Sequence, residues 1–264
     1  MLKKSRKILF GLLFFFLCAS TYVNAAEFKV EYGLSLRSIP VGKAKLFGTI
    51  STPNYQLSTS IKLTGLAGVF VAGNGTAAST GVINQGKLLP SEFNANGQVQ
   101  KKQHTIQIRY AKNTANTTIF APHQETASDR VAVEARHKQG TVDPLSVLLA
   151  PISGNANPLD PENCKRTLPV FDGGARHLLS MDYMKTQNAN LSAYKGQVLV
   201  CSIRYTAVAG HRPNRKGVKF MEKNKDMQIW YAFVPETQLL IPVHIHVATP
   251  AGVAEANLSL LKTN

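Results

Sequence analysis

From Phe28 onward, apolar and polar residues alternate with a period of two. Phe28, Val30, Tyr32, Leu34 and Leu36 interleave with Lys29, Glu31, Gly33 and Ser35. The same rhythm returns at Ala44, Leu46, Gly48 and Ile50, and at Tyr55, Leu57, Ile61 and Leu63. Thr76–Ile83, His104–Tyr110, Thr117–Ala121, Ile229–Phe233, Leu239–Val247 and Val253–Leu261 read the same way. One dry face and one wet face per run is the pattern of antiparallel strands. Thr52-Pro53-Asn54, Asn84-Gln85-Gly86 and Pro250-Ala251-Gly252 supply turns between them.

Several stretches break the rhythm. Leu66–Ala72 is apolar without alternation, and either a helical turn or a doubly buried strand accounts for it. Leu88-Leu89-Pro90 and Phe93 read as a loop, as does Gln187–Gly196. Gln124–Gln139 is charged and reads as an exposed connection. Asp143-Pro144 opens a short helix, with Asp143 as N-cap and Pro144 at the first helical position. Leu145, Leu148 and Leu149 form its apolar stripe, Pro151 ends it, and it is expected against the concave side of the sheet. Ala209–Asp226 is the most basic loop, carrying His211, Arg212, Arg215 and Lys216.

The first residues belong to none of this. Lys3, Lys4, Arg6 and Lys7 precede the apolar run Ile8–Leu17, and Val23-Asn24-Ala25 offers small residues for cleavage before Ala26. The run is shorter than the roughly 20 residues that span a bilayer. The pattern predicts a signal peptide over residues 1–25 and a single β-rich periplasmic domain over 26–264, with no integral membrane segment after cleavage. A retained anchor stays open as the alternative.

Charge narrows the partners. The chain has 30 Lys and Arg against 15 Asp and Glu. Removing a leader with four basic residues leaves 26 against 15. Such a balance favours anionic lipid, lipopolysaccharide phosphates or acidic glycans. Export sets nucleic acid aside. Cys18 leaves with the leader, so Cys164 and Cys201 remain, and an even pair in an exported chain reads as a disulfide.

One ordered set of landmarks resembles a known family. Asp129-Arg130-Val131-Ala132-Val133 is followed by Val142-Asp143-Pro144-Leu145-Ser146. Cys164 follows with Leu168-Pro169-Val170-Phe171-Asp172-Gly173, then Cys201 with Arg204-Tyr205, then Val208-Ala209-Gly210-His211. Ile241-Pro242-Val243 and Thr249-Pro250-Ala251-Gly252 close the set. This string resembles a domain-of-unknown-function family of the Gram-negative envelope, mostly alphaproteobacterial. That family is similar in architecture to β-spiral envelope-integrity proteins and to the LolA and LolB lipoprotein carriers. The resemblance implies an all-β fold with a short helix, a curled antiparallel sheet forming a β-spiral or half-open barrel. It also implies an apolar cavity suited to an acyl chain.

Candidate chemistry is sparse. His244-x-His246 puts two imidazoles on one strand face, a spacing that can hold zinc or copper, but no third ligand lies at motif distance. Both are expected to face solvent, and no metal or cofactor is expected. Asp143 and Ser146 lack the Gly-x-Ser-x-Gly setting of a hydrolase nucleophile, so Ser146 reads as part of the helix cap and no catalytic residue is assigned. Asp172, Arg176 and His177 cluster at an Asp-Gly-Gly turn. The expectation is a non-enzymatic protein that binds a lipid, a lipoprotein or another amphipathic envelope component. Leu145, Leu148, Leu149, Arg176, His211, Arg212, Arg215 and Lys216 are the candidate contacts. A scaffold for peptidoglycan or an envelope protein is the alternative, and a hydrolase with an unfamiliar site the second.

Overall fold

The structure, a computed structural model, describes residues 25–264 except 65–72, 100–101, 123–126, 153 and 155. Residues 1–24, where the leader is expected, and the Leu66–Ala72 stretch lie outside the described residues.

The alternation becomes strands: β1 Ala26–Leu36, β2 Ile39–Ser51, β3 Asn54–Leu63, β4 Gly73–Asn84, β5 Lys87–Val99, β6 Lys102–Ala111 and β7 Thr114–Ala121. After a long connection come β8 Ala150–Pro151, β9 Arg166–Phe171, β10 Arg176–Leu191 and β11 Tyr194–Ala209. Helix α1 Lys216–Lys223 precedes β12 Met227–Val234, β13 Leu239–Thr249 and β14 Gly252–Thr263. All these strands join one antiparallel sheet in the order β7-β6-β5-β4-β3-β2-β1-β14-β13-β12-β11-β10-β9, and β8 pairs with the start of β13. The first and last strands thus meet mid-sheet, where β1 pairs with β14. The sheet curls into a nearly closed barrel with a seam.

Tight turns make the meander compact. Arg37-Ser38, Gln85-Gly86 and Lys112-Asn113 each have positive φ at both residues. That is the type I′ geometry whose twist matches a two-residue hairpin.

Cross-strand rows build the core. Phe28, Gly48, Leu57, Ser79, Phe93 and Ile108 sit opposite one another across β1, β2, β3, β4, β5 and β6. Gly48 is required by its neighbour: a Cβ there would lie 2.1 Å from the Phe28 ring. Phe28, Leu57, Phe93 and Ile108 are all buried in the main core. Strands β11 and β12 bury both faces. Val198, Val200 and Ala232 belong to the main core. Leu199, Cys201, Ile229 and Tyr231 belong to a second cluster with Ala150, Ile152 and Cys164. The Cys164–Cys201 disulfide is formed, with both residues fully buried. It clamps the loop after β8 onto that second face.

The structure corrects five expectations. Leu88–Phe93 is strand, because a bulge opposite Thr80 and Gly81 absorbs Pro90. Gln187–Gly196 continues the β10–β11 hairpin to its Leu191–Tyr194 end, and its polar residues are the solvent face. The Asp143 segment makes only a single 3-10 turn, Ser146–Leu148, before the chain joins β13 as β8. The α-helix lies instead in the basic loop, where three lysines and a glycine hide a two-turn element. The charged connection is not simply exposed at its end. Gln139 bridges to Thr114 at the start of β7, and Val142 bridges to Val170 on β9. Residues 139–142 therefore cross the seam and occupy backbone groups that two edge strands leave open.

Candidate functional site

The core does not fill the whole curled sheet. On the core-facing side, Thr59 of β3 lies opposite Ala77, which lies opposite Ala95, which lies opposite Ile106. The next row toward the strand ends is Ile61, Gly75, Gly97 and His104. Small residues at four neighbouring positions leave nothing to pack inward. A trough of about 280 Å³ results, lined by these residues with Thr76 and Asn96. Ile61 is 40% exposed although it shares the face of buried Tyr55 and Leu57. On the opposite face of the same strands, a second concavity of about 450 Å³ is lined by Lys43, Lys45 and Lys62. Lys43 and Lys62 are cross-strand partners.

The expected Leu contacts lie elsewhere. Leu145 and Leu149 are buried in the main core, and Leu148 packs against it. Leu149 also reaches a separate cleft of about 680 Å³ between the β4–β5 turn and β9. Asp143 organises this region. Its Oδ1 accepts from the amides of Leu145 and Ser146, and its Oδ2 accepts from the hydroxyls of Ser146 and Ser79. Ser146 also pairs with the Tyr55 hydroxyl at 2.9 Å. Burial pushes the Asp143 carboxyl up, while these four donors pull it down. Burial, and then Asp143 itself, pushes Tyr55 up to about 12. Ser146 is thus held as a cap partner inside the core.

The basic candidates divide. Arg176 donates to the carbonyls of Arg136 and Gln139 and ties the charged connection down. Arg212 pairs with Asp129 at 2.7 Å, and the backbone of His211 and Gly210 pairs with Val131. The His211 Nδ1 atom is buried without a hydrogen-bond partner. Arg215 caps α1 and Lys216 begins it, both exposed. These residues therefore do not converge on one pocket. Asp172 accepts from the amides of Gly174 and Ala175, the turn role expected of it. His177 packs on the Tyr205 ring, and burial holds its imidazole below its ordinary value.

Two features escaped the sequence reading. The trough is signalled by Gly75, Ala77, Ala95 and Gly97 at alternate positions, a signature of missing side chains that hydrophobic periodicity does not register. The histidines also differ from expectation. His244 is 9% exposed and packs tilted against Trp230, with ring centroids 4.7 Å apart. The structure brings Glu255 of β14 beside His246, so that His244, His246 and Glu255 form a group able to hold a metal.

The profile of a family described as a protein of unknown function, DUF3108, matches residues 27–259. Comparison with curated proteins finds no match. Among solved structures, one similar chain is a β-barrel-like protein of the domain of unknown function DUF1849 from Brucella abortus. It is 12% identical with a TM-score of 0.55, over 90% of this chain and 98% of that one. A candidate lipoprotein from Parabacteroides distasonis is 9% identical with a TM-score of 0.39, over 91% of this chain and 96% of that one. The first likeness shows the barrel-like fold.

Proposed function

The chain belongs to the DUF3108 family, and from that premise we propose that it is a non-enzymatic protein of the cell envelope that holds an amphipathic anionic lipid. The acyl chain lies in the trough between Ile61, Ala77, Ala95 and Ile106, and the head group passes over the strand ends to Lys43 and Lys62 on the opposite face. The observation that carries this reading is the trough itself. A curled sheet whose core-facing side is lined by Gly75, Ala77, Ala95 and Gly97 offers apolar surface and space together. Its volume is close to the roughly 300 Å³ at the small end of ligand pockets. Burying apolar ligand surface there contributes about 25 cal/mol per Å². The lysines add charge attraction at the rim, which salt weakens. The leader-like N-terminus and the net positive charge support a periplasmic setting for such a ligand.

The test is titration of delipidated protein with a fluorescent fatty acid and with anionic phospholipid. Wild type is expected to bind one equivalent. Ala95→Phe fills the trough and is expected to abolish binding. Ile61→Gln alters an exposed side chain, leaves folding intact and is expected to weaken binding several-fold. Saturable binding that neither substitution affects would refute the assigned site.

A further inference from the structure

We propose that His244, His246 and Glu255 form a binding site for a divalent transition metal of the zinc class. The sequence spacing shows two imidazoles and no third donor. The sheet supplies the third: β13 pairs with β14 so that His246 lies directly opposite Glu255, and His244 directly opposite Asn257. One donor atom from each of the three residues lies within 4.8 Å of the others. Tetrahedral zinc, with bonds of about 2.0–2.2 Å, sets its donors about 3.4 Å apart. Small side-chain rotations on two adjacent strands close that difference.

The second observation is the arrangement of oxygens behind the ligands. His244 Nδ1 bonds to Asn257 Oδ1 at 2.7 Å, which leaves Nε2 with its lone pair outward. His246 Nε2 bonds to Asp226 Oδ1 at 3.0 Å. A carboxylate can only accept, so Nε2 donates and Nδ1 is the ring nitrogen left for a metal. That Nδ1 lies 3.7 Å from Glu255 Oε1. Ser35 donates to the other carboxylate oxygen of Glu255 at 3.4 Å. Each ligand is therefore held from behind by a polar partner, the arrangement that orients metal ligands and sets their tautomers. Donor atoms this close together suit a shared cation. Trp230 walls one side through its contact with His244.

Two histidines and one carboxylate make a three-ligand set, which leaves a fourth position for water or an anionic ligand. Imidazole nitrogen suits zinc, copper and nickel, whereas magnesium and calcium prefer all-oxygen sets. The site is independent of the lipid trough, so each stands or falls separately.

The test uses the protein expressed with its own leader, purified, stripped with chelator and titrated with zinc sulfate by calorimetry. Trp230 is the only tryptophan in the chain, so its fluorescence reports on the same site when Co²⁺ is added. The expected results are one saturable equivalent of Zn²⁺ and Co²⁺ quenching of Trp230 that Zn²⁺ reverses. His246→Ala and Glu255→Gln each weaken binding more than 100-fold, and Asn257→Ala weakens it by about 10–100-fold. Absence of saturable binding to the wild type overturns the proposal and leaves an imidazole–carboxylate pair only. Undiminished binding in both His246→Ala and Glu255→Gln, with Trp230 unquenched by Co²⁺, places the metal elsewhere and overturns it equally.

Discussion

At the scale of single residues, Asp143 is the most consequential side chain in the molecule. It is fully buried and accepts four hydrogen bonds, three from Leu145 and Ser146 within the long connection and one from Ser79 that ties it to β4. Asp143→Ala leaves those donors without a partner in a low-dielectric setting, and unfolding by denaturant is expected to show a loss of about 3–5 kcal/mol. A loss under about 1 kcal/mol would mean that water replaces the carboxylate. His177 carries a pH effect of definite sign. Its folded value lies below the ordinary 6.5 because of burial, with Asp172 opposing. The neutral ring is favoured in the fold, so stability is full above 6.5 and falls as the pH drops toward the folded value. Denaturant midpoints between about pH 7.5 and about pH 5 are expected to fall more for wild type than for His177→Gln. Equal slopes would assign the acid sensitivity to another group.

Elements were legible in proportion to how completely one face was wet. The alternating runs from Phe28 to Leu63 became β1, β2 and β3 because those strands face solvent on one side. Strand β5 was missed since Pro90 reads as a breaker, and only the bulge in its pairing makes room for it. The helix was sought at Asp143, where the cap chemistry is real but tertiary contacts allow a single turn. It was missed at Lys216, where charge concealed the Val218 and Met221 side that rests on β11. The Cys164–Cys201 pairing was legible because only these two cysteines lie beyond Cys18 and the expected leader. A closed loop of 37 residues gives a chain-entropy stabilisation of about 4 kcal/mol. Replacing both cysteines by serine is expected to lower the unfolding free energy by about 2–5 kcal/mol, measured in urea under non-reducing conditions. An unchanged midpoint would contradict a structural role for the bond.

At the scale of the whole molecule, the curled sheet was legible and its contents were not. Periodicity predicts which side of a strand is dry, but not what covers it. Leu145 and Leu149 occupy the core instead of lining an empty barrel, while β3, β4, β5 and β6 leave their last rows unfilled. The difference follows from side-chain volume. Phe93 and Ile108 fill one row, whereas Gly75 and Gly97 cannot fill another. Metal ligation was equally hidden, because its third donor arrives by strand pairing and not by spacing along the chain. The account of a lipid-holding trough rests on that unfilled region, and native mass spectrometry of the protein purified from cells without detergent tests it most directly. The account predicts a bound lipid-sized mass on the wild type that is absent from Ala95→Phe and reduced in Ile61→Gln. A wild type that carries no lipid and takes up none when offered anionic phospholipid would contradict it.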